Sequence, residues 1–236
     1  MKIIIDEPKV KKYRKFGSYF LWATFGFLIV GMALTFNQDV INSYIGYYFG
    51  ALFLALVCSQ VGMYLTNRYG GNPRQDEALD AALKGLDDRH YIYHFNAGVS
   101  HLLLGPSGIH VVLPYYQGGT VTYDETKKRW KQTGVNSFFK IFGRDGMGRP
   151  DLDARDAIND ANKYLKKALG TDLPLEVNAV LVFTNEKTSV QAQNAPIPTV
   201  SAGKLKDYIR RKIKEEKASD EVMDKIKAVL PVIEKE

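Results

Sequence analysis

Two long, strongly apolar stretches of this 236-residue chain lack any charged side chain: residues 17–36, GSYFLWATFGFLIVGMALTF, and residues 43–66, SYIGYYFGALFLALVCSQVGMYLT. At about 1.5 Å per residue, the first makes a helix of roughly 30 Å, which matches a hydrocarbon core of about 30 Å. The second is longer and crosses with some tilt. Tyr19 and Trp22 open the first run, Tyr44, Tyr47 and Tyr48 open the second, and Tyr64 and Tyr69 lie at its exit. Amphipathic rings favour the headgroup layer at such places. A cleaved signal peptide fits poorly, because another apolar run follows after only NQDVIN. A buried helical hairpin is disfavoured by two successive runs of this length.

The flanks orient the hairpin. KVKKYRK precedes the first run, the six-residue connection has no base, and Arg68 and Arg74 follow the second. The positive-inside rule then predicts a two-span membrane protein with both termini in the cytoplasm. Gly46 and Gly50 form a small-xxx-small pair, which permits close helix approach. Packing within the hairpin is favoured over self-association of two chains through these glycines. The expected organisation is a basic cytoplasmic flank (1–16), a transmembrane hairpin (17–66), a breaker-rich linker (67–75) and an α/β domain (76–236).

The formal net charge is +6, and residues 1–16 alone carry six bases against two acids. The part after the hairpin is therefore only mildly basic, so charge alone does not make it a nucleic-acid binder. The single cysteine, Cys58, excludes an internal disulfide framework and a cysteine-based zinc site.

From residue 75 onward, hydrophobic periodicity predicts a helix over QDEALDAALKGL, a strand at 90–95, and a hairpin of 99–104 and 109–116 joined by Gly105-Pro106-Ser107-Gly108. A second hairpin follows at 119–124 and 128–132, then a loop at 137–150 and a helix at 151–169. EVNAVLVFTN (176–185) has the continuous apolar character of a strand buried on both faces. IPTVSA (197–202) is a short strand, and two helices close the chain. This order predicts an α/β fold, a mixed central sheet flanked by helices and preceded by the transmembrane hairpin.

His90 and His94 have zinc-motif spacing only on a helix. On a strand they stand about 13 Å apart, too far for one metal. His101 and His110 are candidates for cross-strand neighbours. The run Gly143 to Arg149 is not a P-loop. Its Arg144 and Arg149, with Lys140 and with Lys127, Lys128, Arg129 and Trp130, are the candidate nucleic-acid-binding residues, since bases interleaved with rings suit a single strand. The competing reading is a solvated hairpin whose Trp130 belongs to the core, and it is the favoured one.

The stretch VSHLLLGPSGIHVVLPYYQGGTVTYDETKKRWKQ, with His101, Gly105, Pro106, Gly108, Ile109, Gly119 and Trp130, resembles the core of NERD, the nuclease-related domain. The resemblance extends more weakly over about 72–236. It implies a restriction-endonuclease-like PD-(D/E)xK fold, in which nucleases place an acid on one strand and a Glu and Lys two apart on the next. The carboxylates hold Mg²⁺, and the Lys helps position the attacking water. Here the acid position falls at Ser100, the Glu position at Leu113 and the Lys position at Tyr115. A family Gln corresponds to Asp153, and an early-helix acid to Asp76 or Glu77. Leu cannot ligate Mg²⁺, and Tyr carries no charge near neutral pH.

The resemblance therefore implies a pseudo-nuclease: a membrane-anchored, non-catalytic module without a cofactor, binding nucleic acid or a protein partner. Two alternatives stand beside it. One is a Mg²⁺-dependent nuclease rearranged around Asp76, Asp151, Asp153 and Lys140. The other is a structural membrane protein whose soluble domain mediates assembly.

Overall fold

The run Ile3-Ile4-Ile5, counted above as part of a flank, is a strand. The computed structural model describes residues 1–36, 38–71, 73–135, 147–171, 176–215 and 217–231. In it β1 (Lys2–Ile5) lies parallel to β2 (Tyr91–His94), with Ile3 opposite Ile92 and Ile5 opposite His94. Three consecutive β-branched side chains suit a sheet, and Ile4 and Ile5 are each only 2% exposed. The α/β unit is therefore discontinuous in sequence, comprising Met1–Asp6 and Asp76–Glu236, and Glu7–Gln75 forms a separate unit between its two pieces.

That separate unit is a pair of helices, α1 (Glu7–Thr35) and α2 (Gln38–Tyr69). Both are long and apolar enough to cross a membrane, with mean hydropathy 1.6 and 1.7. Only 11% and 28% of their most apolar stretches are buried within the chain. The helices approach closely at Gly17, where an added Cβ would stand 3.0 Å from Thr66 Oγ1, and at Gly62, where it would stand 2.9 Å from Leu21. Among the described residues, nothing lies within 4 Å of a Cβ built at Gly46 or Gly50. This corrects the expectation that this pair packs within the hairpin. The small residues that permit the approach are Gly17, which faces Thr66, and Gly62, which faces Leu21.

The α/β unit is built on a six-stranded sheet of order β1-β2-β3-β4-β7-β9, with β3 (His101–Gly105), β4 (Gly108–Tyr115), β7 (Val177–Phe183) and β9 (Thr199–Ser201). Only β3 runs against the others. A smaller sheet, β6-β5-β8, carries the second hairpin, β5 (Gly119–Asp124) and β6 (Arg129–Thr133), together with β8 (Thr188–Gln191), a strand that the sequence reading did not anticipate. Among the described residues the unit also has four helices: α3 (Gln75–Leu83), α4 (Pro150–Leu169), α5 (Ala202–Glu215) and α6 (Asp220–Val229). The loop expected at 137–150 falls largely outside the described residues.

Period-2 alternation assigns each strand residue to one of two faces. Tyr93, Leu102, Leu104, Ile109 and Val111 pack against Ala161 and Leu165 of α4 and Met223 and Ile226 of α6. Tyr115, Leu181 and Phe183 continue this face against Ala154 of α4. On the opposite face Ile92, Leu103, Val112, Val180 and Val182 meet Leu79 and Leu83 of α3 and Leu205 and Ile209 of α5. β7 lies between β4 and β9 and is buried on both faces except at Asn178, in accord with its apolar run.

Candidate functional site

The positions singled out by the resemblance lie on or beside the two antiparallel strands β3 and β4. Ser100 stands one residue ahead of β3 in the turn from β2, where its carbonyl accepts a hydrogen bond from the Phe95 amide at 2.8 Å. Leu113 and Tyr115 are two apart on β4, so both point to the α4 face, where Leu113 packs against the apolar clusters. Tyr115 is buried and stacks on Phe183, with ring centroids 5.5 Å apart. Its hydroxyl donates to Asp153 Oδ2 at 2.8 Å, so the Lys-position residue meets the Gln-position residue. Burial pushes the Tyr115 phenol well up, and the bond to Asp153 and that residue's charge push it the same way. At physiological pH it is a neutral donor.

Asp151 and Asp153 are exposed in the first turn of α4, where negative charge complements the helix dipole. Asp76 is buried on α3, on the stripe that carries Leu79 and Leu83, and so belongs to the other side of the sheet. Asp76 therefore does not join Asp151 and Asp153, and Lys140 lies outside the described residues. Among the described residues no three His, Cys, Asp or Glu side chains come together to hold a metal ion. A Mg²⁺ centre at Ser100, Leu113 and Tyr115 does not fit these residues, because none of the three supplies a carboxylate.

The candidate nucleic-acid residues are distributed over several elements. Lys127 and Lys128 are exposed in the β5–β6 turn, and Lys128 adopts φ 47°. Arg129 pairs across the ladder with Asp124. Trp130 sits opposite Tyr123 in an edge-to-face contact of 5.3 Å and packs against the cluster containing Val121, Met147 and Phe183. Its ring is thus engaged in the core. Arg149 is exposed just before α4, and its carbonyl accepts from the amides of Leu152 and Asp153. Lys140 and Arg144 fall outside the described residues.

The α3 face holds what the sequence reading missed. All four histidines are buried. His94 pairs with His101 across β2 and β3, and His110 pairs with Leu103, so His101 and His110, candidates for cross-strand neighbours, are not directly paired. His94 Nδ1 stands 2.7 Å from His101 Nδ1, and His94 Nε2 stands 2.9 Å from Asp80 Oδ1. Two ring nitrogens at that distance share one proton, one ring donating and the other accepting. The result is a carboxylate–imidazole–imidazole chain with both rings fully buried and Asp80 half-buried at its end. The signal was available in the sequence, since six residues, Phe95 to Ser100, separate two histidines that a hairpin must bring level.

His110 donates through Nε2 to the Ser107 carbonyl at 2.8 Å. Burial holds its pKa down at about 4, so it is neutral. His90 is also pushed down by burial, against the opposing pull of Asp87 at 2.7 Å. The His90 ring lies where a Cβ on Gly105 would fall, 2.6 Å away, which is why the first residue of the GPSG turn is glycine. Asp87 is in turn held at about 2, chiefly by its hydrogen bonds from Arg89.

In comparisons with known proteins, no family model, no curated protein and no solved structure matches this chain.

Proposed function

We propose that this chain is a membrane-anchored, NERD-like module whose nuclease centre has been lost, and that it binds a nucleic-acid or protein partner at the cytoplasmic face. One observation carries the reading. At the positions where a nuclease of this fold needs a carboxylate and a cation on one strand, Leu113 packs, partly buried, against the core and Tyr115 hydrogen-bonds Asp153. A neutral phenol and an alkyl side chain neither hold Mg²⁺ nor generate hydroxide. The restriction-endonuclease-like assignment is supported by an α-β-β-β core followed by α4 and β7, with β3 antiparallel to its neighbours.

The membrane reading is supported by the largely unburied apolar stretches of α1 and α2. The parallel pairing of β1 with β2 supports placing both ends of the chain on one side, because two segments of one sheet cannot fold across a bilayer from each other.

The test uses the full chain, since a fragment starting at residue 72 would lack β1 and its buried isoleucines. Purified protein is incubated with single- and double-stranded DNA under Mg²⁺ or Mn²⁺ titration, with EDTA and Asp153→Ala controls. The expected outcome is no cleavage. Cleavage that both EDTA and Asp153→Ala abolish would establish the rearranged nuclease instead. For topology, an Asn37→Cys variant in a Cys58→Ala background is expected to react in intact cells without permeabilisation. Protection of that residue would reverse the orientation.

A further inference from the structure

We infer that the cleft at the end of α5, floored by His110 and Asn178, binds an uncharged polyhydroxylated molecule of monosaccharide size. β4 and β7 lie inside the six-stranded sheet, and His110 stands directly opposite Asn178 in their ladder. Strand alternation puts both residues on the face where Val112, Val180 and Val182 pack under Leu205 and Ile209 of α5. That helix ends at Glu215, and beside its last turn Asn178 is exposed although its strand is central. Lys212 and Glu215 form one wall of the resulting cleft, and Lys217 to Ser219 continue it. Its volume is about 530 Å³, within the roughly 300–1,000 Å³ range of small-molecule sites.

Two polar groups in the lining are buried and unmet. His110 is 1% exposed and Ser107 9% exposed, and both line the cleft. Neither the Ser107 hydroxyl nor His110 Nδ1 has a hydrogen-bond partner among the described residues. The other ring nitrogen settles what Nδ1 requires. His110 Nε2 donates to the Ser107 carbonyl and the ring is neutral, so Nδ1 carries a lone pair and only accepts. Buried polar atoms are normally paired, and leaving them unpaired costs stability. A ligand that donates to Nδ1 and pairs with the Ser107 hydroxyl removes that cost.

The lining selects the chemistry. Lys212 and Lys217 balance Glu176 and Glu215, and the two lysines are already engaged, 2.8 Å from Glu215 and 3.2 Å from Asp220. Among the lining residues Ala218 alone is aliphatic, so an apolar ligand has little to pack against. An unprotonated anion brings no hydrogen to Nδ1. A cation there is opposed by Lys212, whose charge already acts on that imidazole. A hydroxyl donates to Nδ1 and, through the same oxygen, accepts from Ser107 or the Asn178 amide. The Glu176 carboxylate at the rim accepts from a further hydroxyl.

The cleft lies on the sheet face opposite Leu113 and Tyr115, so the inference goes beyond the pseudo-nuclease reading and stands without it. Full-length protein in a detergent without a sugar headgroup is titrated with glucose, methyl α-glucoside, mannose and myo-inositol, and binding is read by saturation-transfer NMR. Inorganic phosphate and putrescine are the charged probes. At least one polyol is expected to bind saturably, and both charged probes at least about tenfold more weakly. His110→Leu should weaken binding by roughly tenfold, and His110→Asn, which keeps an acceptor on Cγ, should restore part of it. Asn178→Ala alters an exposed side chain and leaves the fold intact, and it should weaken binding by about threefold or more. Lys128→Glu in the β5–β6 turn should change it by less than about twofold. Equal binding of glucose and its methyl glycoside identifies a glycan end as a source, and loss with the glycoside identifies the free sugar.

The inference is overturned if no polyol saturates, in which case water meets the two buried atoms. It is also overturned if phosphate or putrescine binds as well as the polyols, or if Asn178→Ala and His110→Leu both leave binding intact.

Discussion

The two faces of the six-stranded sheet differ in how they treat polarity. On the α4 face, strand residues are apolar or aromatic, and at the implied nuclease centre the Tyr115 hydroxyl donates to the exposed Asp153. On the α3 and α5 face, four imidazoles and Asp80 are built into the core, each histidine with a named hydrogen-bond partner. Where the resemblance locates chemistry, this chain has a packed core. Where the resemblance assigns no role beyond Asp76, the chain keeps its buried polar groups. Burying a polar group costs free energy unless it is paired, so the α3 face depends on its hydrogen bonds and the α4 face on its packing.

Five substitutions test that contrast, all read by guanidinium unfolding of the full chain in detergent through Trp130 fluorescence in a Trp22→Phe background. The largest effect is expected from Phe183→Ala on the α4 face. Phe183 is 1% exposed and stacked on Tyr115, and truncation of such a side chain costs about 3–5 kcal/mol. A loss below about 1 kcal/mol would mean that this face is not a filled core.

The next effect is pH-dependent and belongs to the other face. His110 is held neutral at about 4 by burial, below its ordinary 6.5. The unfolded chain therefore binds a proton that the folded chain refuses between those values. Stability is full above about pH 6.5 and falls as pH drops toward 4, by up to about 3 kcal/mol. Lys212 and His90 act in the same direction on this imidazole, and the Tyr208 ring packs edge-on against it at 6.4 Å. His110→Leu should flatten the profile between pH 4 and 6.5. An unchanged slope would assign the acid sensitivity to other groups.

The Asp80–His94–His101 chain should be non-additive. His94→Leu alone removes one hydrogen bond from Asp80 and one from His101 and costs about 1–3 kcal/mol. The double variant with His101→Leu should cost less than the sum of the two singles, because the ring–ring hydrogen bond is already lost in either single. Strict additivity would show that the rings do not share a proton. The smallest effect is expected from Tyr115→Phe, about 1 kcal/mol, since its partner is solvent-exposed. A much larger loss would give the Tyr115–Asp153 contact a structural weight equal to that of the buried network.

Much of the fold was legible because it is periodic. The GPSG hairpin, the 119–124 strand, the amphipathic helix after Pro150 and the doubly buried AVLVF strand all repeat a local pattern over enough residues to be read. β1 and β8 were not legible. At four residues each they are too short for periodicity to stand out, and they become strands by adding to edges formed by distant residues, β1 at Tyr91–His94 and β8 at Gly119–Thr122. The candidate site divides in the same way. Leu113 and Tyr115 were placed on one face by alternation alone, whereas the hydrogen bond from Tyr115 to Asp153 had no motif to mark it and depends on where α4 docks on the sheet.

By itself the sequence determined two apolar spans, an α/β domain, and the absence of carboxylate and lysine at Leu113 and Tyr115, since charge, periodicity and residue chemistry are local properties. Only the tertiary structure decided that residues 2–5 complete the sheet, that Gly17 and Gly62 and not Gly46 and Gly50 bring the helices together, and that Asp76 and Asp153 stand on opposite sides of the sheet. Those facts depend on strand register and on which faces meet, and both are settled by burying apolar surface from segments far apart in the chain.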